Sequence, residues 1–121
     1  MNIKSPQTLV KEALIEITTI SPSQALELSN NNECNLIDIR DAVELQKLGR
    51  IENSFHISRG LLEFSISPES IDLNKEIVLF CAAGGRSALA AKSLKEMGYD
   101  KVSHIDGGFG LMREKGFKIK S

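Results

Sequence analysis

The segment Ile77-Val78-Leu79-Phe80 constrains the fold more than any other stretch. It is an uninterrupted apolar run, too short for a helix and without polar alternation, and it reads as a strand buried on both faces. It passes directly into Cys81-Ala82-Ala83-Gly84-Gly85-Arg86 and then into an alanine-rich helix from Ser87 to Met97, with Ala88, Leu89, Ala91 and Leu94 on its apolar face and Gly98 as C-cap. A strand with no polar face needs helices on both sides of its sheet. The rest of the chain supplies them. Helices are predicted near 6–15 and 22–29, each opened by a Ser-Pro pair, near 42–48 between Asp41 and Gly49, and from Phe109 to Lys115, with a helical turn over Gly60–Phe64. Strands are predicted over 17–20, 36–39, 55–57 and 102–105. The alternation predicts an α/β fold with a mainly parallel sheet, and places ligand chemistry at the carboxyl ends of the strands, where Cys81 lies.

A length of 121 residues with 41% hydrophobic content suits one domain spanning 1–121, with 1–19 as an N-terminal helical extension. A net charge of -1 gives no electrostatic case for nucleic acid or a membrane surface. Lys4, Pro6, Lys11, Glu12 and Glu16 interrupt the N-terminus before any signal-like apolar run, so a cytoplasmic location is expected. The two cysteines, Cys34 and Cys81, are poor material for a disulfide framework. If strands 36–39 and 77–80 are neighbours, the two thiols lie at opposite ends, roughly 15 Å apart at about 3.3 Å per residue, which makes Cys34 structural. His56 and His104 fall on strands without a partner at metal-ligand spacing, and read as partly buried strand histidines with no assigned role.

The loop Cys81 to Ser87 carries the chemistry. Small residues and two glycines allow consecutive amides to turn inward as an anion-binding nest at a helix N-terminus. A thiol over that nest, with Arg86 close behind, is expected to ionise readily and act as a nucleophile, while the nest stabilises an anionic substrate or leaving group. The plain alternative makes Cys81 a small buried hydrophobe at a strand end.

Leu36-Ile37-Asp38-Ile39-Arg40 with Glu44, Arg59-Gly60-Leu61-Leu62-Glu63-Phe64, the Cys81–Ser87 loop and Asp106-Gly107-Gly108-Phe109 together resemble, in order, the motifs of the single-domain rhodaneses, a sulfurtransferase superfamily. The resemblance runs from about Ile20 to Phe117. It implies a three-layer fold with a five-stranded parallel sheet. It further implies that Cys81 accepts a sulfane sulfur as a persulfide, that Ala82, Ala83, Gly84, Gly85, Arg86 and Ser87 form the pocket holding it, and that Arg86 contacts an anionic donor. The implied cycle is ping-pong: thiosulfate or a similar donor loads Cys81, and a thiol or cyanide, or a protein acceptor, unloads it without metal or organic cofactor. Asp38, Arg40 and Arg59 take supporting places, the first two bracing the sheet and Arg59 near the pocket mouth or simply solvated. Arg40 and Glu44 also stand at i,i+4 spacing for an ion pair.

Two departures stand out. Gly49-Arg50-Ile51-Glu52-Asn53 replaces the usual Gly-His-Ile-Pro element, and Phe109 and Met112 stand where the family commonly has tryptophans. Two further enzymatic or non-enzymatic readings share the fold: an interaction or sensing module, or a persulfide carrier slow with small molecules. A rhodanese-like phosphatase is disfavoured, since tyrosine phosphatases carry one more residue between Cys and Arg and so make a wider cradle for three phosphoryl oxygens.

Overall fold

The structure is a computed structural model describing residues 2–121. Ser5 and Ser21 each accept a backbone N–H three residues on and each precede a proline, so helices begin there: α1, Pro6–Glu16, and α2, Pro22–Asn30. Strand β1, Thr18–Ile20, joins them. The chain continues through β2, Cys34–Asp38; α3, Ala42–Leu48; β3, Arg50–Ile51; β4, Phe55–His56; a 3-10 turn, Arg59–Leu61; α4, Leu62–Ser65; and β5, Glu76–Phe80. It ends with α5, Gly85–Met97; β6, Val102–Ile105; α6, Gly108–Glu114; and β7, Ile119–Lys120.

Five strands form one sheet in the order β1-β6-β5-β2-β4, with every neighbouring pair parallel. Burial alternates along its central strands. Ile77, Leu79 and Cys81 join Ile37, Ile39, Val102 and the α5 residues Ala90, Ala91 and Leu94 in one apolar cluster. Val78, Phe80, Leu36 and Ile105 turn to the other face, against Ala25 of α2 and Phe109 and Met112 of α6. Val78, Leu79 and Phe80 are fully buried, and each such side chain contributes about 1.5–3 kcal/mol relative to exposure. The α/β fold with a five-stranded parallel sheet and helices on both faces is therefore the observed architecture. The phenylalanine and methionine that replace tryptophans fill the α6 face with little exposure, at 4% and 0%.

Sequence reasoning placed most elements within two residues and missed one pairing. β3 and β7 form a separate antiparallel ladder, Arg50 opposite Lys120 and Ile51 opposite Ile119. Two-residue strands carry no periodicity to read. The bend after β3 is made by Asn53, at φ 67°, in place of a proline turn. β2 begins at Cys34 rather than Leu36, because its ladder with β5 pairs Cys34 with Glu76. That pairing puts Cys34 at the amino end of the sheet, away from Cys81. Burial, reinforced by the Glu76 carboxylate, pushes the Cys34 thiol up to about 11.

Candidate active site

The site grows from the end of β5. Phe80 closes the strand, and the next residues leave the sheet in a tight loop that ends in the first turn of α5. Gly84 occupies the N-cap with φ 115°, a conformation L side chains rarely adopt, and this turn brings the helix start back over Cys81. Gly85 is helical and needs no such freedom; it lies 3.7 Å from the Val10 side chain of α1, measured from the position of an added Cβ. The helix begins at Gly85 rather than Ser87, since the N–H of Ser87 is already turned onto the cysteine.

Cys81 Sγ is the focus of that turn. Gly84 N–H and Ser87 N–H donate to it at 3.1 and 3.3 Å, and Ser87 Oγ lies 3.6 Å away. As the first residues of the helix, Gly85 and Arg86 have N–H groups without an intrahelical acceptor, and the helix dipole adds positive potential at the same place. The arrangement is an amide cradle around a sulfur atom. Cys81 is 1% exposed, so the sulfur sits on the floor of the loop with Ala83 at the exposed rim.

A second loop holds the cradle from below. Phe109 N–H, at the start of α6, donates to Cys81 O at 2.8 Å. Gly108, at φ 60°, approaches so closely that a Cβ there would meet Cys81 O at 2.5 Å and Ala82 O at 2.6 Å. The Gly107-Gly108 turn is thus a close-packing requirement of the cysteine loop.

Arg86 does not stand free. Its Nη1 and Nη2 donate to the two carboxylate oxygens of Glu44 on α3 at 2.8 and 3.0 Å. This hydrogen-bonded pair holds Glu44 well below the usual carboxylate range, to about 2, against the opposing effect of burial and with help from the Asp41 N–H. The same carboxylate keeps the guanidinium firmly charged.

The expected Arg40–Glu44 ion pair is not formed. Arg40 is fully buried and turns the other way, onto Asp38: Nε donates at 3.1 Å and Nη2 at 2.8 Å, while Nη2 also reaches Gly49 O at 2.9 Å. Its guanidinium lies 3.9 Å from the centre of the Phe109 ring. The i,i+4 rule presumes both residues are helical, and Arg40 precedes the helix. Asp38 and Arg40 therefore brace the carboxyl edge of the sheet beneath the site. Arg59 N–H donates to Ile39 O at that same edge, but its guanidinium pairs with Glu63, which in turn accepts from Ser93 of α5. Burial pushes Glu63 up, and the hydrogen bonds from Ser93, its own backbone N–H and Arg59 outweigh it, leaving the carboxyl below its ordinary value. Arg59 ties the turn before α4 to α5.

One residue beside the thiol's serine escaped the sequence reading in this role. His104 of β6 places Nδ1 2.9 Å from Ser87 Oγ and Nε2 2.9 Å from Thr19 Oγ1 of β1. Its register opposite Leu79 puts it on the same face as Cys81, a parity that was present in the alternation of the two strands. Glu44 was mispaired rather than unseen. A groove of about 440 Å³ lined by Pro68, Ile77, Met97 and Tyr99 lies at the opposite, amino end of β5 and contributes nothing to this chemistry.

The Rhodanese-like domain family matches residues 21–115, most of the chain. The chain belongs to the rhodanese family. Among curated rhodanese relatives, thiosulfate sulfurtransferase GlpE of Ectopseudomonas mendocina is 37% identical over 98 residues, covering 81% of this chain and 86% of that protein. The GlpE protein of Actinobacillus pleuropneumoniae is 30% identical over 104 residues, covering 86% and 94%. Among solved rhodanese-like structures, the polysulfide-sulfur transferase homodimer of Wolinella succinogenes superimposes with a TM-score of 0.77 at 34% identity, over 92% of this chain and 83% of its own. A Rhodopseudomonas palustris protein of unknown function, described as a possible tyrosine phosphatase, reaches a TM-score of 0.89 at 37% identity, over 99% and 97%.

Proposed function

We propose that this rhodanese-family sulfurtransferase moves a sulfane sulfur through a persulfide on Cys81. The observation that carries the reading is the amide cradle closed on Cys81 Sγ by Gly84 and Ser87. In the first half-cycle the Cys81 thiolate attacks the outer sulfur of a small donor such as thiosulfate; the S–S bond of the donor breaks and sulfite leaves with its electron pair. In the second, a thiol or cyanide attacks the outer persulfide sulfur and the cysteine thiolate departs. Negative charge stays within the cradle throughout, where backbone donors and the helix N-terminus stabilise it without reorganisation.

The loop Ala82 to Arg86 then surrounds the terminal sulfur, and Arg86 supplies charge to an anionic donor. Its Glu44 partner offsets that charge, so thiosulfate is not strongly favoured over a neutral persulfide. A sulfur this little exposed suits slender donors. The reading uses no metal or organic cofactor; among the described residues no cluster of three or more His, Cys, Asp or Glu could hold a metal ion. No helix among the described residues is long and apolar enough to cross a membrane, and the substrates proposed are water-soluble anions and thiols.

The description of the R. palustris neighbour raises phosphoryl transfer as a second reading. Only four residues separate Cys81 from Arg86, and both arms of Arg86 are engaged by Glu44, which leaves little for three phosphoryl oxygens. Thiocyanate formation from thiosulfate and cyanide tests the proposal directly. Turnover by the wild type with no hydrolysis of an aryl phosphate supports sulfur transfer; the reverse pattern refutes it.

A further inference from the structure

The hydrogen bonds around Ser87 join its hydroxyl, the Cys81 thiol and the His104 ring in one network. A serine hydroxyl offers one donor and two acceptor positions. Ser87 Oγ donates to Gly84 O at 3.1 Å, which leaves it to accept, and the Cys81 thiol donates to it at 3.6 Å. In the arrangement that fills all three positions, the remaining neighbour, His104 Nδ1 at 2.9 Å, carries the proton. His104 is then the Nδ1–H tautomer, with the Nε2 lone pair accepting from the Thr19 hydroxyl at 2.9 Å. All three positions of the hydroxyl are filled.

From this saturation we propose that His104 is a positioning residue for sulfur transfer, holding Ser87 Oγ by its Nδ1–H so that the serine hydroxyl turns onto Cys81 sulfur whenever that sulfur is anionic. The inference rests on the persulfide reading of Cys81. When the thiol loses its proton to solvent, Sγ ceases to donate and becomes an acceptor. The Ser87 proton then swings from Gly84 O to Sγ, joining the amides of Gly84 and Ser87. Gly84 O is not orphaned, because Ala88 N–H still donates to it at 3.1 Å. His104 N–H keeps Oγ in place and polarises the O–H toward sulfur. No bond to sulfur is made or broken by His104 and nothing is oxidised.

The surroundings suit a neutral imidazole. Thr19 from β1 and Ser87 from α5 hydrogen-bond it, Cys81 lies on the same face of the sheet, and Asp106 beyond its own strand is the charged group acting on it. Burial pushes His104 below the usual histidine range, with Asp106 opposing. Ser87 and His104 are 0% and 2% exposed, so water does not compete for these bonds.

The test follows alkylation of the Cys81 peptide by iodoacetamide across pH, with persulfide loading by thiosulfate and thermal midpoints measured on the same samples. His104→Leu and Ser87→Ala should each raise the pH of half-maximal alkylation by about one unit, with a comparable loss in loading rate. The double variant should add little to either single one, as expected of residues acting in series. His104→Asn, whose amide N–H can occupy the Nδ1 position, should restore most of the profile. An unmoved profile in His104→Leu, or an Asn variant as impaired as the Leu variant while equally well folded, overturns the proposal. A wild type that loads no sulfur overturns the persulfide reading itself; loading with an unmoved profile overturns only the role of His104.

Discussion

At Gly108 there is no room for a methyl group: the nearest atoms to an added Cβ are the backbone carbonyls of the cysteine loop, and the backbone itself is left-handed. Gly108→Ala should therefore lower stability by about 2–4 kcal/mol in urea unfolding and lower sulfur transfer further than stability alone explains, since the relief must come from moving Cys81 and Ala82. Near-normal stability and turnover would show that the turn does not set the loop. Residues of this kind were legible in the sequence as a motif, while their reason was not; a Gly-Gly pair announces a turn, yet only the fold shows that the turn abuts the cysteine. His104 was legible as a buried strand histidine and no more, because its partners Ser87 and Thr19 come from distant parts of the chain.

At the scale of elements, α3 and α5 are joined by Glu44 and Arg86. The Glu44 carboxyl is lowered from 4.5 to about 2 in the folded protein, chiefly by the Arg86 hydrogen bonds. A depressed folded-state value means its stabilisation is complete above about 4.5 and is lost as pH falls toward 2. His104 acts in the same sense at higher pH, because the unfolded chain binds its proton near 6.5 and the folded one resists it. Unfolding stability should thus decline in two stages on acidification. Glu44→Gln should flatten the lower stage and His104→Asn the upper; a monotonic single stage unaffected by either substitution would contradict these assignments. Freed from Glu44, Arg86 should also favour an anionic donor, so Glu44→Gln is expected to lower KM for thiosulfate several-fold with a smaller effect on a neutral donor. The elements themselves were easy to read where a proline, a cap or an unbroken apolar run marked them, as at Ser21-Pro22 or Ile77–Phe80. The β3–β7 ladder was not, since two residues per strand and a partner some seventy positions away leave no local trace.

For the whole molecule, the buried Asp38–Arg40 pair is the junction: it joins the end of β2 to Gly49 beyond α3 and to Phe109 of α6, directly beneath the cysteine loop. Removing one charge leaves the other uncompensated, so Arg40→Met should cost roughly 3–5 kcal/mol and broaden or abolish cooperative unfolding. A change below about 1 kcal/mol would place the brace elsewhere. In the proposed function this architecture serves one sulfur atom on Cys81, and that proposal has a direct test in intact mass after incubation with thiosulfate, before and after cyanide. Wild type should gain the mass of one sulfur and lose it to cyanide as thiocyanate, while Cys81→Ser, folded with an unchanged thermal midpoint, should gain nothing. An adduct of equal yield on Cys81→Ser, or none on wild type with thiosulfate or a persulfide donor, would contradict the account.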